Sequence, residues 1–136
     1  MSNNLKHTAF ISLGSNLGDR NLFLRKAIQA IEEIPCKIIQ HSKIIETKAL
    51  DFIDQPDFLN CILVIKIDLS PIELLDALQS IENKLGRIKR FDKGPREIDL
   101  DILTYDNLIF KNERLVLPHH SIKTRPFIKE LLEDLK

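Results

Sequence analysis

The sequence contains no tryptophan, one tyrosine and only two cysteines in 136 residues. Acidic and basic residues are equal at 20 each, so the chain lacks the aromatic, basic surface that single-stranded RNA requires. Cys36 and Cys61 lie in apolar stretches, and neither belongs to a C-x-x-C pair or lies at zinc-binding spacing from a histidine. We therefore expect free thiols in a reducing compartment and no binding of nucleic acid.

Long hydrophobic runs are missing as well. No apolar run approaches the roughly 18 residues of a transmembrane helix, and the first residues lack the apolar core of a secretory signal. We therefore expect a cytoplasmic protein without membrane association. The length and the 43% of hydrophobic residues suit one globular domain over residues 1–136. P-loop and protein-kinase motifs are also lacking, so any bound nucleotide must be held by another geometry.

Hydrophobic periodicity predicts strands and helices in the order βαββαβ. Strands are expected over residues 8–13, 37–46 and 58–67, and a fourth carries the motif D-x-D. Helices are expected over residues 20–33, between a capping box at Ser70 and a stop at Gly86, and over residues 126–135. This order predicts an α+β, ferredoxin-like sandwich with helices on one face of an antiparallel sheet and a short C-terminal helical extension. We expect the other face and the long loops to be free to form a site.

The most informative stretch is residues 94–103, where Gly-Pro-Arg leads into the D-x-D strand. Side chains alternate along a strand, so Asp99 and Asp101 share one face while the intervening apolar residues face the core. Carboxylates roughly 6.5 Å apart can share hard cations roughly 4 Å apart, and oxygen ligands favour magnesium or manganese over zinc. The alternative is a solvated edge strand. The adjacent Gly-Pro-Arg and the regular apolar alternation favour the metal site.

A basic loop precedes this strand. Its five cations are Arg87, Lys89, Arg90, Lys93 and Arg96. Cations beside metal-binding carboxylates suit the phosphate chain of a nucleotide, because arginine binds phosphate bidentately and magnesium bridges its oxygens. The alternative is a solvated basic loop.

Further candidates lie on the central strand and near the C-terminus. Phe58 and Asn60 share a face, so they could stack on a heterocycle and pair with its edge, with Phe127 opposite. The alternative is that both phenylalanines are core residues and Asn60 is a local cap. Histidines and an arginine near residues 119–125 could meet phosphate, and two polar residues of the second helix lie off its apolar stripe. We interpret the segment Gly14-Ser15-Asn16-Leu17-Gly18 as a structural turn.

These segments together resemble the 6-hydroxymethyl-7,8-dihydropterin pyrophosphokinases of folate biosynthesis. The resemblance runs through residues 11–18, 54–60, 86–87, 94–103, 114–119 and 125–127 in order, and G-P-R-x-x-D-L-D with Q-P-D-F-L-N is highly specific. It implies a ferredoxin-like, magnesium-dependent enzyme that moves pyrophosphate from ATP to the pterin hydroxymethyl oxygen and releases AMP. Small departures occur: Phe58 and His120 stand where some members have tyrosine, and Lys93 precedes Gly94 where many have an aromatic residue.

The resemblance also implies a role for each site residue. Asp99 and Asp101 would hold two Mg²⁺ ions on ATP and act in catalysis with Arg87 and Arg96. The pterin would lie among Thr47, Ala49, Leu50, Phe58, Asn60 and Phe127. The ATP-binding residues would be Gln79, Glu82, Arg87, Arg96, Ile102, Arg114, His119, His120 and Arg125. We expect a stand-alone, monomeric enzyme whose loops over residues 47–56 and 87–93 close on the substrates.

Two other functions stay open from the sequence. A ferredoxin-like binding module for RNA or a small regulator is disfavoured by the charge balance and the scarcity of aromatic residues. A metal-dependent phosphohydrolase could use the same two aspartates, and would release inorganic phosphate without a pterin acceptor.

Overall fold

The fold was analysed in a computed structural model that describes residues 5–49, 54–88 and 94–136. The elements of the first half are β1 (His7–Ser15), α1 (Arg20–Glu32), β2 (Cys36–His41), β3 (Ile45–Thr47) and β4 (Phe58–Ile67). Those of the second half are α2 (Pro71–Lys84), β5 (Asp99–Tyr105), β6 (Phe110–Lys111), β7 (Val116–Leu117), α3 (Ser121–Thr124) and α4 (Pro126–Asp134).

The main sheet is antiparallel, with strand order β2-β4-β1-β5 and β3 extending the β2 side along β4. The two long, apolar strands β1 and β4 occupy the centre and pair along their whole length, from His7 opposite Ile67 to Ser15 opposite Leu59. This order is that of the ferredoxin-like sandwich, which confirms the predicted fold class.

Helices α1 and α2 cover one face of the sheet and close the main core. Every second residue of the central strands, such as Ile11, Leu13 and Leu63, packs against the buried faces of both helices, which include Leu24 and Leu78. The helices begin where the sequence predicts, because Asp19 and Ser70 accept hydrogen bonds from main-chain N–H groups of the first turns. None of the helices in the described part of the chain has the length and hydrophobicity needed to cross a lipid bilayer.

The second face of the sheet is not wholly open, in contrast to the expectation from the sequence. Helix α4 packs there, and its Ile128 and Leu131 form a small core with Ile62 and Leu103 of the sheet. The helix covers only part of this face. The side chains that continue the same face toward the end of β1 and the start of β4 and β5 remain available to line a cavity.

The single strand predicted over residues 37–46 is in fact two strands, separated at residues 42–44. Ser42 causes the interruption. Its N–H donates to the carbonyl of Ile62, and its hydroxyl accepts the N–H of Ile62 in place of a main-chain carbonyl. Serine hydroxyls compete with backbone partners in this way, and periodicity alone does not show it.

The segment between β5 and α4 contains more regular secondary structure than the sequence pattern predicted. The sequence pattern predicted no helix or strand in this segment, which contains the β6–β7 hairpin and helix α3 before α4. The N–H of His119 donates to the carbonyl of Leu103 at 2.9 Å. The connection therefore runs along the free edge of β5 and brings the residues after β7 beside the two aspartates.

We expect Ser70→Ala to lower the free energy of unfolding by about 1 kcal/mol, because it removes the capping box of α2. Ser70 Oγ accepts the N–H of Glu73, and the Glu73 carboxylate accepts the N–H of Ser70 at 2.9 Å. Urea denaturation measures the loss. Ser80→Ala is the matched control, since Ser80 is exposed within the same helix. An equal effect of both substitutions would contradict the capping role.

Candidate active site

A cavity of about 220 Å³ lies on the uncovered part of the second sheet face. Many of the predicted site residues line it: Thr47, Ala49, Phe58, Asn60, Arg96, Asp99, Asp101, His119, His120, Arg125 and Phe127. These residues come from β3 and the segment after it, from β4, from β5 and the segment before it, and from the chain between β7 and the start of α4. One cavity therefore brings together side chains that are more than 70 residues apart in the sequence.

The two aspartates project into this cavity from the first and third residues of β5, as strand alternation predicts. Asp99 accepts hydrogen bonds from Arg87 and from Arg96, each at 3.1 Å. Asp101 faces His119 at 3.7 Å, and its side chain is 39% exposed. Desolvation, and then the charge of Asp99, raise the pKa of Asp101 above its usual range. Binding of a cation would therefore relieve the electrostatic repulsion between these two carboxylates.

Glu82 of α2 stabilises the arrangement of Arg87 and Asp99. It is buried, and it accepts the N–H of Leu100 and the guanidinium of Arg87, both at 2.8 Å. Burial raises the pKa of Glu82, and the hydrogen bond from Leu100 and the charge of Arg87 oppose that effect. In this structure Glu82 orients Arg87 toward Asp99 and does not line the cavity.

The opposite side of the cavity presents a flat apolar surface beside an amide. Asn60 donates from Nδ2 to the hydroxyl of Thr47 at 2.7 Å. A Cβ at Gly14 would lie 3.2 Å from Asn60 Oδ1 and 3.6 Å from the Phe58 ring, so glycine there leaves room for both groups. The Arg96 guanidinium lies 5.7 Å from the centroid of the Phe58 ring. The aromatic side and the cationic side are thus neighbours.

His119 is fixed by its own turn. Its Nδ1 accepts the N–H of Ser121 at 3.1 Å, which leaves Nε2 as the donor of the neutral ring toward Asp101. Its ring stacks on that of His120, with centroids 4.5 Å apart. Desolvation lowers the pKa of His119, and the neighbouring His120 and Arg125 lower it further. A neutral donor is the resulting state near pH 7.

Several predicted residues do not line the cavity. Arg114 donates to Gln79 at 2.9 Å and to Asp76 at 2.7 Å on the exposed side of α2. Ile102 is 1% exposed and packs in the core between sheet and helices, so its side chain does not reach the cavity. Leu50 and the loop cations Lys89, Arg90 and Lys93 lie outside the described residues.

The comparison with known proteins decides the family. The chain matches the family described as 7,8-dihydro-6-hydroxymethylpterin-pyrophosphokinase over residues 10–136. The chain belongs to this family. It is 43% identical over 122 residues to the 2-amino-4-hydroxy-6-hydroxymethyldihydropteridine pyrophosphokinase of Haemophilus influenzae, covering 89% of this chain and 76% of that one.

Longer proteins contain a similar segment. The folic acid synthesis protein fol1 of Pneumocystis carinii is 43% identical over 126 residues, which are 93% of this chain and 17% of that protein. The chain therefore spans about one sixth of the length of the fungal proteins that it matches. The crystal structure of Plasmodium falciparum HPPK-DHPS with pteroate superposes with a TM-score of 0.70 at 18% identity, over 98% of this chain and 40% of that one. That likeness supports the fold.

In this pyrophosphokinase-family chain, the carboxylates of Asp99 and Asp101 fit a magnesium ion whose remaining ligands come from a bound phosphate and water. Among the residues that the structure describes, no group of three or more histidine, cysteine, aspartate or glutamate side chains could hold a metal by itself. Asp99 and Asp101 supply two carboxylates on one face. Protein magnesium sites commonly use one or two carboxylates and take the other ligands from substrate phosphate and water.

Sequence reasoning missed some residues of the site. The additional lining residues are Ser12, Gly14, Lys48, Gln55, Ser121 and Ile128. Ser12 and Gly14 share the cavity face of β1 with two-residue spacing, a signal that was available once β1 was placed beside β5. Asn16 was interpreted as part of a turn, but it makes hydrogen bonds to two separate segments of the site.

Proposed function

We propose that this chain transfers pyrophosphate from ATP to the hydroxymethyl oxygen of 6-hydroxymethyl-7,8-dihydropterin, giving AMP and the pterin pyrophosphate for folate biosynthesis. One observation carries the proposal within the family: a single cavity has paired carboxylates with arginines on one side and an aromatic ring with an amide on the other. Such a cavity offers a polyphosphate and a heterocycle adjacent places.

Asp99 and Asp101 would hold two Mg²⁺ ions together with the phosphates of ATP. The metal would supply neutralisation of the phosphate charge where the bond to the AMP leaving group breaks. Arg87 and Arg96 form ion pairs with Asp99 in this structure, so both guanidinium groups lie beside the carboxylate that would hold the metal and would donate to the phosphates there. His119 adds a neutral donor next to Asp101. The protein needs no covalent intermediate, and positioning carries most of the catalysis.

The pterin would lie between Phe58 and Phe127, and Asn60 would pair with its polar edge. Thr47 orients the Asn60 amide, and main-chain groups of Thr47, Ala49 and Leu50 would complete the subsite. The ATP subsite would include Arg87, Arg96, His119, His120 and Arg125. Gln79, Glu82 and Arg114 would border it, with the main chain of Ile102. We also propose a single pyrophosphokinase domain over residues 1–136, acting as a cytoplasmic monomer.

We expect Asn60→Ala to weaken binding of the pterin about 10- to 100-fold, because the polar ring edge loses its partner on burial. The affinity for a Mg²⁺-bound ATP analogue should change less than twofold. Calorimetry with each ligand measures both values in the same variant. Equal losses for the two ligands would contradict the assignment of Asn60 to the pterin.

Phosphorus NMR of the reaction mixture tests the proposed function. With ATP, Mg²⁺ and the pterin, we expect two coupled phosphorus signals of a new diphosphate ester together with the single signal of AMP. Omitting the pterin should abolish both. Inorganic phosphate without a pterin requirement would instead identify a phosphohydrolase, and would contradict the proposal.

A further inference from the structure

Asn16, which immediately follows β1, makes hydrogen bonds to two separate segments of the site. Its Oδ1 accepts the N–H of Arg96 at 2.9 Å, and its own N–H donates to the Arg96 carbonyl at 3.2 Å. Its Nδ2 donates to Gln55 Oε1 at 2.8 Å and to the carbonyl of Pro56 at 3.0 Å. The residue is only 1% exposed. Both atoms of the amide are therefore used inside the protein.

The chemistry of these bonds requires an amide. One end of the side chain must accept a hydrogen bond while the other donates two, and asparagine is the residue of this length that does both. Aspartate has the same shape, but it would turn acceptor oxygens toward the carbonyl of Pro56 and the Oε1 of Gln55. Asn16→Asp therefore keeps the bond from Arg96 and removes the bond to the main chain of the other segment at Pro56, while the bond to Gln55 is kept only if the Gln55 amide turns its Nε2 toward the carboxylate.

The two segments lead to opposite sides of the cavity. Arg96 begins the approach to β5 and is bonded through its side chain to Asp99, on the carboxylate side. Gln55 and Pro56 lead directly into β4, whose first residue is Phe58 on the aromatic side. Asn16 thus fixes the main chains that carry Arg96 and Phe58, the two side chains that meet across the cavity.

We propose that Asn16 is a positioning residue that couples the phosphate subsite to the heterocycle subsite. The proposal rests on the proposed function, since it assigns one substrate to each side. Transfer between two substrates requires the attacking oxygen to lie in line with the phosphorus, and a displacement of about 1 Å can cost about 100-fold in rate. Asn16 sets this alignment without contacting either substrate.

Arg20 provides a matched control. It donates to the carbonyl of Asp57 at 2.9 Å and to Glu46 at 2.6 Å, and so it holds the segment before β4 from the side of α1. Among the residues that the structure describes, Arg20 bonds to β3 and to the segment before β4, and not to the segment that carries Arg96. Arg20→Met therefore loosens the heterocycle side alone, whereas Asn16→Asp removes the bond from the Asn16 side chain to the main chain of that side at Pro56.

Steady-state kinetics give the first test. We expect Asn16→Asp to lower kcat about 10- to 100-fold, because the substrates lose their alignment. Arg20→Met should raise the KM for the pterin and leave kcat and the KM for ATP within about threefold of wild type. A purely structural role for Asn16 would lower Tm and leave kcat unchanged well below Tm, and that result would overturn the proposal.

Hydrogen exchange gives a second test that does not depend on turnover. The probe is α,β-methylene-ATP with Mg²⁺. In the wild type we expect it to slow exchange at residues 94–101 and also at residues 54–58. In Asn16→Asp the slowing at residues 94–101 should persist and that at residues 54–58 should be lost. Equal slowing at residues 54–58 in both proteins, or none in the wild type, would overturn the coupling.

The two tests separate this inference from the proposed function. A wild type that makes no pterin-dependent AMP would overturn the proposed function, and the exchange pattern would still decide whether Asn16 couples the two sides.

Gln55→Leu is a second variant, for the case that Asn16→Asp does not fold. It removes one of the two hydrogen bonds that Asn16 Nδ2 donates. We expect the ligand to slow exchange at residues 54–58 less than in the wild type, but the reduction should be smaller than in Asn16→Asp. Wild-type coupling in this variant would count against the proposal.

Discussion

Asp99→Asn and Asp101→Asn are each expected to lower turnover by roughly 10³-fold or more. An amide has the shape of the carboxylate but not its charge, so the site loses affinity for the cation that would neutralise the phosphates in the transition state. Initial rates of AMP formation at saturating ATP, Mg²⁺ and pterin measure the effect. Near-normal turnover in either variant would contradict the assignment of both residues to the metal.

The stability of these two variants separates loss of the metal site from loss of the fold. Asp101 is partly buried and is repelled by the charges of Asp99 and Glu82, so Asp101→Asn should leave Tm unchanged or raise it. Asp106→Asn is the matched control at the other end of β5. Asp106 has a φ of 52°, which asparagine tolerates, and its side chain accepts the N–H of Thr8, as an amide oxygen also can. We expect normal activity for that control.

Arg96→Ala should have the second largest effect, a loss of about 10²- to 10³-fold in kcat. Its guanidinium lies between Asp99 and the ring of Phe58, where charge would develop on the transferred group. An arginine that stabilises such charge contributes on this scale. Stopped assays that separate kcat from the KM values measure it, and Arg96→Lys should recover only part of the rate because lysine lacks the planar fork.

Arg114→Ala is the control for this prediction. The resemblance places Arg114 near ATP, but in the structure it binds Asp76 and Gln79 on the exposed side of α2, outside the cavity. We expect a higher KM for ATP and a kcat within about threefold of wild type. An equal loss of kcat in the Arg96 and Arg114 variants would contradict a specific role for Arg96 in the chemical step.

The sequence pattern predicted those elements of the fold that depend on residues close together in the chain. The strand predicted over residues 58–67 has those bounds, because a continuous apolar run at the centre of a sheet is buried on both faces. Helix α2 lies between its capping box and Gly86, whose φ of 92° suits glycine at a helix end. Alternation also predicted that Asp99 and Asp101 share a face.

Other features depend on contacts between distant segments, and local patterns do not contain them. The break at Ser42 exists because its hydroxyl bonds to β4, and the links of Asn16 exist because the ends of three segments meet there. Glu82 is on the helix surface by periodicity, yet β5 buries it and supplies the N–H of Leu100. Such residues are recognised only when the neighbouring strands are in place.

The most direct test of the proposed reaction is the separation of AMP from ADP after incubation with ATP, Mg²⁺ and 6-hydroxymethyl-7,8-dihydropterin. We expect AMP in equal amount to the pterin consumed, no ADP, and no AMP when the pterin is omitted. Formation of ADP, or AMP release that does not depend on the pterin, would contradict pyrophosphoryl transfer by this chain.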